Sequence, residues 1–277
     1  LPEDCLRSVF SFLDGCQVLK LRSLNRFAAH FLPSCVASLQ VEVSRFYSGL
    51  VNDTQYSTLL QMTNLQRLVI FKTSDPCAVP TSQDQKLALH AWGCVELDVS
   101  HNNVGELVVQ HLANAMELGA ASQLKQLQLV STFTNTTRRN GLGALCAALS
   151  RGCSPLLQDL LLGGNSITDA GVSDVARLLE ACPPYASPPR SASQLHWGMR
   201  TTAIDYLCMG GNLITDNCVT PLTSVLANGA CPELRFLGLE DNYLSPEGVQ
   251  TIIQAAEDGG MVPRLHRVSS DGDVAAP

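Results

Sequence analysis

Residues Leu157 to Leu179 read LQDLLLGGNSITDAGVSDVARLL. Leu157, Leu160 and Leu162 have the spacing L-x-x-L-x-L, and Asn165 and Ile167 follow. Beyond Thr168 and Asp169 the apolar residues Val172, Val175, Ala176, Leu178 and Leu179 recur at helical spacing. A short strand therefore passes through a turn into a helix, in a unit too small to bury its own apolar face. The pattern returns at Ile204, Leu207, Met209, Asn212, Ile214 and again at Leu234, Leu237, Leu239, Asn242, Leu244.

Weaker copies start at Val36 (Leu39, Val41), Leu65 (Leu68, Ile70), Cys94 (Leu97, Val99, Asn102, Val104) and Leu124 (Leu127, Leu129). A truncated copy runs from Leu265 to Val268. From Val36 onward the starts are 29, 29, 30, 33, 47, 30 and 31 residues apart. The pattern resembles the leucine-rich repeat, a strand plus helix stacked into a horseshoe. The resemblance implies an α/β solenoid with parallel strands inside and helices outside, and it predicts neighbouring strands at Leu68, Leu97, Leu127, Leu160, Leu207 and Leu237. Asn102, Asn165, Asn212 and Asn242 are expected to bond main-chain groups of the turn. Thr168, Thr215 and Ser245, three residues later, are expected to cap the helices, with Pro246 at a first helical position.

Residues 1–35 belong to no repeat. Leu6, Val9, Phe10 and Leu13 form one helical stripe, Val18, Leu19, Leu21 and Leu24 a second, and Phe27, Ala28 and Phe31 a third. The wording LPEDCLRSVFSFLDGCQVLKLRSLNRF resembles an F-box, although Ala28 stands where that family usually carries tryptophan. The resemblance implies docking on a small adaptor of cullin-based ubiquitin ligases, with Leu1, Pro2, Leu6, Phe10 and Leu13 as contact candidates. The alternative is a helical cap closing the apolar end of the solenoid, which repeat arrays require in any case. The ITDAG wording with its terminal Cys-Pro is similar to cysteine-containing repeats of F-box leucine-rich proteins. The Asn after the strand and the longer period are closer to ribonuclease-inhibitor-like repeats.

The expected organisation is thus a helical segment over 1–35, a solenoid over 36–268 and a polar tail over 269–277. Leu39, Val41 and Val43 alternate like a strand, and Asp53 is placed to cap a short helix through Leu59 and Leu60. Thr73–Gln85 reads as a loop. The long step holds a Pro/Ser-rich insertion at 183–199, ending in His196 and Trp197, which reads as a loop off the body.

Composition narrows the functional classes. A net charge of −7 without long charge runs disfavours nucleic acid and anionic membranes as partners. No apolar run approaches the ~18 residues of a membrane span, and no signal-peptide pattern is visible. Eleven cysteines, odd in number and without C-x-x-C, read as reduced buried thiols. That reading places the chain in the cytoplasm or nucleus, where the sequons at Asn52 and Asn135 carry no meaning. Nucleophile-elbow, phosphate-loop and dinucleotide motifs are absent, and the six histidines show no metal-ligand spacing. No catalytic residue, metal or cofactor is expected.

Function is then expected on the strand residues that point away from the leucines. In order, these are Arg67, Glu96, Gln126, Asp159, Tyr206, Phe236; then Val69, Asp98, Gln128, Leu161, Cys208, Gly238; then Phe71, Ser100, Val130, Gly163, Gly210, Glu240. Leu161, Tyr206, Cys208 and Phe236 make an apolar patch, with Asp159 and Glu240 beside it, suited to protein binding unless the insertion covers it. Two functions remain: substrate recognition in a cullin-type ubiquitin ligase, or a non-catalytic scaffold subunit of a large assembly.

Overall fold

The computed structural model describes residues 6, 9–10, 13–53, 55–72, 104–133, 141–181, 204–231, 233–259 and 267–269. Leu6, Val9 and Phe10 are helical. Helix α1 (Gly15–Lys20) follows Asp14, whose carboxylate accepts from the Cys16 N–H. Helix α2 (Arg26–Phe31) follows Asn25, whose side chain accepts from the Ala28 N–H. Single 3-10 turns at Leu21–Ser23 and Leu32–Cys35 close this segment.

Strand and helix alternate from there on. β1 (Ser38–Glu42) leads to α3 (Val43–Asn52) and α4 (Ser57–Gln61), and β2 (Arg67–Phe71) precedes α5 (Val104–Glu117). β3 (Gln126–Gln128) precedes α6 (Gly141–Ser150), and β4 (Asp159–Leu161) precedes α7 (Asp169–Glu180). β5 (Tyr206–Cys208), α8 (Val219–Ala227), β6 (Phe236–Gly238), α9 (Pro246–Asp258) and β7 (Arg267–Ser269) follow. The seven strands among the described residues are parallel and stand in chain order in one sheet. The main helices also pack in chain order, α3 on α5, then α6, α7, α8 and α9.

The leucine spacing builds the core between these layers. The register aligns Leu39, Leu68, Leu127, Leu160, Leu207 and Leu237, all 0% exposed. Ile70, Leu129, Leu162, Met209 and Leu239 form a second buried rank, and Leu65, Leu124, Leu157, Ile204 and Leu234 a third. Each such side chain contributes roughly 1.5–3 kcal/mol through burial, so the three ranks dominate the driving force.

After each of β3–β6 the chain turns through a left-handed residue: Ser131 (φ 50°), Gly164 (φ 68°), Gly211 (φ 66°) and Asp241 (φ 53°). An asparagine then ties neighbouring turns together. Asn165 Oδ1 accepts from the Thr132 and Phe133 N–H groups at 2.8 and 3.0 Å, and its Nδ2 donates to Leu129 and Leu162 carbonyls. Asn212 accepts from Asn165 and Ile167 and donates to Met209, while Asn242 accepts from Ile214. These are the turn bonds expected of the asparagines; Asn102 lies outside the described residues.

Four expectations change. β2 bonds directly to β3, with Arg67 opposite Gln126, so no rung stands between Leu68 and Leu127. Leu97 itself lies outside the described residues, as do Thr73–Gln85 and the 183–199 insertion. Pairing is decided by helix packing as much as by strand pattern, and here α3 rests directly on α5. Val43 opens a helix rather than ending a strand, because the Glu42 carboxylate caps the Ser44 and Arg45 N–H groups. Val69 is buried, a short side chain between the longer Gln40 and Gln128 in register.

The fourth concerns caps. Ser245 caps α9 through the Gly248 N–H and Thr215 accepts from Asn217, but Thr168 makes no side-chain cap bond. Its neighbour Asp169 instead accepts from the Thr215 N–H and hydroxyl, both at 2.8 Å. Asp53 does accept from the Ser57 and Thr58 N–H groups that open α4.

Candidate protein-binding face

Strand alternation sends every second side chain of β3–β6 away from the leucine ranks, onto a face where most such residues are half-buried or exposed. Asp159, Tyr206 and Phe236 stand side by side in one column, with Arg267 next in register. The Tyr206 and Phe236 rings stack with centroids 4.2 Å apart and planes within 4°. Tyr206 remains 36% exposed. Leu161, Cys208 and Gly238 make the adjacent column. The structure therefore brings Asp159, Leu161, Tyr206, Cys208 and Phe236 together on consecutive strands.

Glu240 joins them through glycine. A Cβ at Gly238 would lie 2.9 Å from Glu240 Oε2, 2.9 Å from Phe236 Cε1 and 3.3 Å from Cys208 Sγ. The missing side chain lets carboxylate, ring edge and thiol converge on one spot. Glu240 Oε2 is buried there without a hydrogen-bond partner among the described residues.

The electrostatics of this face are acidic. Burial pushes the Asp159 carboxyl above its ordinary range, and the neighbouring Asp205 charge adds to the rise. Asp205 itself pairs with Arg235 at 3.3 Å. Burial also raises the Cys208 thiol, opposed by the Gly210 N–H and reinforced by Glu240, so it stays protonated at neutral pH. At the other end of the face Arg67 donates to Gln126 at 2.7 Å.

The N-terminal candidates divide. Leu6 and Phe10 are partly buried against the core, while Leu13 is 41% exposed; Leu1 and Pro2 lie outside the described residues. Val9, Leu24 and Phe27 are exposed too, and Phe27 stacks on Phe31 at 5.1 Å. Phe27 and Phe31, with Arg26, His30 and Ser34, line a shallow depression of about 440 Å³.

Two roles escaped the sequence pattern. Thr132 occupies the asparagine position of its unit, and its hydroxyl donates to the Ile70 carbonyl at 2.7 Å. The offset from Leu124 could have found it. Glu106 is fully buried and its carboxylate accepts from the Gly141 N–H that opens α6. A lone glutamate on an otherwise apolar helix face was the available signal.

Cys16, Cys146, Cys153, Cys208 and Cys218 are free thiols. Burial raises Cys16 to about 11 and Cys218 to about 12, and it raises Cys146 further still. Among the described residues no cluster of His, Cys, Asp or Glu is placed to hold a metal ion, and no helix is long and apolar enough to cross a membrane. Compared with protein-family models and with curated proteins, the chain matches none.

Proposed function

We propose that the chain is a leucine-rich-repeat solenoid that recognises a protein on its outward sheet face. In this reading it serves as the substrate-recognition subunit of a cullin-type ubiquitin ligase, with its N-terminal helices on the ligase adaptor. The observation that carries the recognition role is the stacked, part-exposed Tyr206–Phe236 pair on an apolar patch with Leu161 and Cys208. Aromatic anchors of this kind supply large contact area at small entropic cost and concentrate binding energy. The subunit's contribution is proximity: holding a substrate beside the ligase raises its effective concentration to about the millimolar range.

The adaptor role is supported by the F-box-like wording and by apolar side chains left in solvent on the N-terminal helices: Val9, Leu13, Leu24 and Phe27. A second reading, a scaffold subunit whose N-terminal segment only caps the solenoid, is favoured by Leu6 and Phe10 packing inward and by α1 resting on β1. Co-purification with the adaptor and cullin separates the two. The ligase reading expects wild-type protein to recover both, and V9D/L13D to lose them at an unchanged melting temperature. Wild-type protein that never recovers the adaptor establishes the scaffold reading instead. Y206A/F236A is expected to lose the recognised protein while keeping the adaptor.

A further inference from the structure

We infer that the edge of the molecule where β4–β6 turn into α7–α9 docks a basic segment of a partner protein, one that presents an apolar side chain flanked by lysine or arginine. This edge is separate from the outward sheet face and needs nothing from it. Three turns lie side by side there. The Leu213 N–H donates to the Ile167 carbonyl at 2.9 Å, the Tyr243 N–H donates to the Ile214 carbonyl at 2.8 Å, and Tyr243 bridges to Thr215 in parallel. Asn212 and Ile214 are buried on either side of Leu213, so extended alternation turns Leu213 outward. Tyr243 holds the same place after Asn242 and is turned out the same way. Leu213 is 39% exposed and Tyr243 69%. The Tyr243 ring and hydroxyl have no hydrogen-bond or ring partner among the described residues. A tyrosine so placed offers a large contact area at small entropic cost.

Charge selects the partner. Residues 163–176, 210–228 and 239–258, which carry these turns and at least the first two turns of the helix after each, contain no Lys or Arg. Asp169 and Asp216 open the helical stretches of their units, and Glu247 is exposed in the first turn of α9. Among the described residues Asp169 and Asp216 enter no ion pair. Neutral donors hold them: the Thr215 N–H and hydroxyl and the Asn217 amide for Asp169, and the Ser245 N–H for Asp216. Their charges are fixed in place yet uncompensated, on the same turns as the exposed apolar pair. A basic segment supplies the missing cations without having to order the carboxylates. A purely apolar segment would strip water from them and put nothing in its place, and an acidic peptide or a phosphate backbone would be repelled. Lysine or arginine is also attracted to the face of the Tyr243 ring.

The test is fluorescence anisotropy of the full chain with labelled peptides of alternating leucine and lysine, glycine and lysine, or leucine and glutamate. The leucine–lysine peptide is expected to bind best, and the leucine–glutamate peptide not to bind. Y243A is expected to weaken the leucine–lysine peptide about tenfold, and D216N/E247Q by a similar factor at low salt. E180Q/E257Q, which removes the same charge from the far ends of α7 and α9, is expected to leave affinity unchanged, as is Y206A/F236A on the outward sheet face. Thermal melting monitors folding, and Y243A, altered at an exposed side chain, provides the reading should D216N/E247Q not fold. Failure of the leucine–lysine peptide to bind, equal binding of the lysine and glutamate peptides, or equal loss in D216N/E247Q and E180Q/E257Q overturns the proposal. Loss of binding in Y206A/F236A with none in Y243A places the peptide on the outward sheet face and overturns it as well.

Discussion

Asn165 shows how one side chain can hold two rungs. Its amide serves the Thr132 and Phe133 N–H groups and three carbonyls, all at a fully buried position. Asn165→Ala leaves those groups without partners, and the expected loss is roughly 3 kcal/mol or more by urea denaturation. Asn242 likewise donates to three carbonyls, but it is half-buried and accepts from one N–H where Asn165 accepts from two, so Asn242→Ala is expected to cost less, about 1–2 kcal/mol. Equal losses at the two sites would mean that the turn bonds are not what these residues supply. Glu106 makes a pH-dependent contribution. Burial raises its carboxyl above the ordinary 4.5, with the Gly141 N–H opposing, so the folded chain keeps that proton to higher pH than the unfolded chain. The contribution is therefore complete below the ordinary value and is lost as pH rises through the raised one. Glu106→Gln is expected to flatten the fall in urea midpoint as pH rises above the ordinary 4.5. A wild-type midpoint that rises with pH above that value because of Glu106 contradicts the sign.

Among the elements, helix starts separate what a motif promises from what it does. Thr168 and Ser245 hold equivalent places, yet only Ser245 caps its helix. Ser245→Ala is expected to cost about 1 kcal/mol and Thr168→Ala close to nothing, read from chemical denaturation midpoints. The reason lies one residue on. Asp169 and Asp216 reach the next unit, accepting from the Thr215 and Ser245 N–H groups, so these acids tie consecutive helix starts together. At the start of α5 the packing is closer still. A Cβ at Gly105 would fall 1.9 Å from the Thr132 carbonyl oxygen, backbone that cannot step aside. Gly105→Ala is expected to lower the melting temperature by several degrees, as about 2 kcal/mol of overpacking does in a chain of this size. An unchanged melting curve would show that α5 and the turn at Thr132 do not meet this closely.

For the molecule as a whole, the parallel α/β layering was legible because Leu-x-Leu alternation and helical spacing alternate along the chain. The outward column was legible by the same arithmetic, which puts Asp159, Tyr206 and Phe236 side by side. The stacking of the two rings and the carboxylate over Gly238 were not, since they depend on rotamers and on a side chain that is missing. Nor was the pairing of β2 with β3. The apolar pattern around Leu97 matches a strand, but a pattern cannot say which strands touch, and contact between α3 and α5 goes with the direct pairing. One uninterrupted sheet in chain order is the central feature of the fold, and a cysteine pair tests it directly. Arg67→Cys with Gln126→Cys puts two thiols on adjacent strands, about 4.8 Å apart at Cα, within disulfide reach. Mild oxidation and peptide mapping are predicted to recover the 67–126 crosslink in folded protein. Recovery of a crosslink from Arg67→Cys with Glu96→Cys in its place, with none to position 126, would insert another rung and contradict the account.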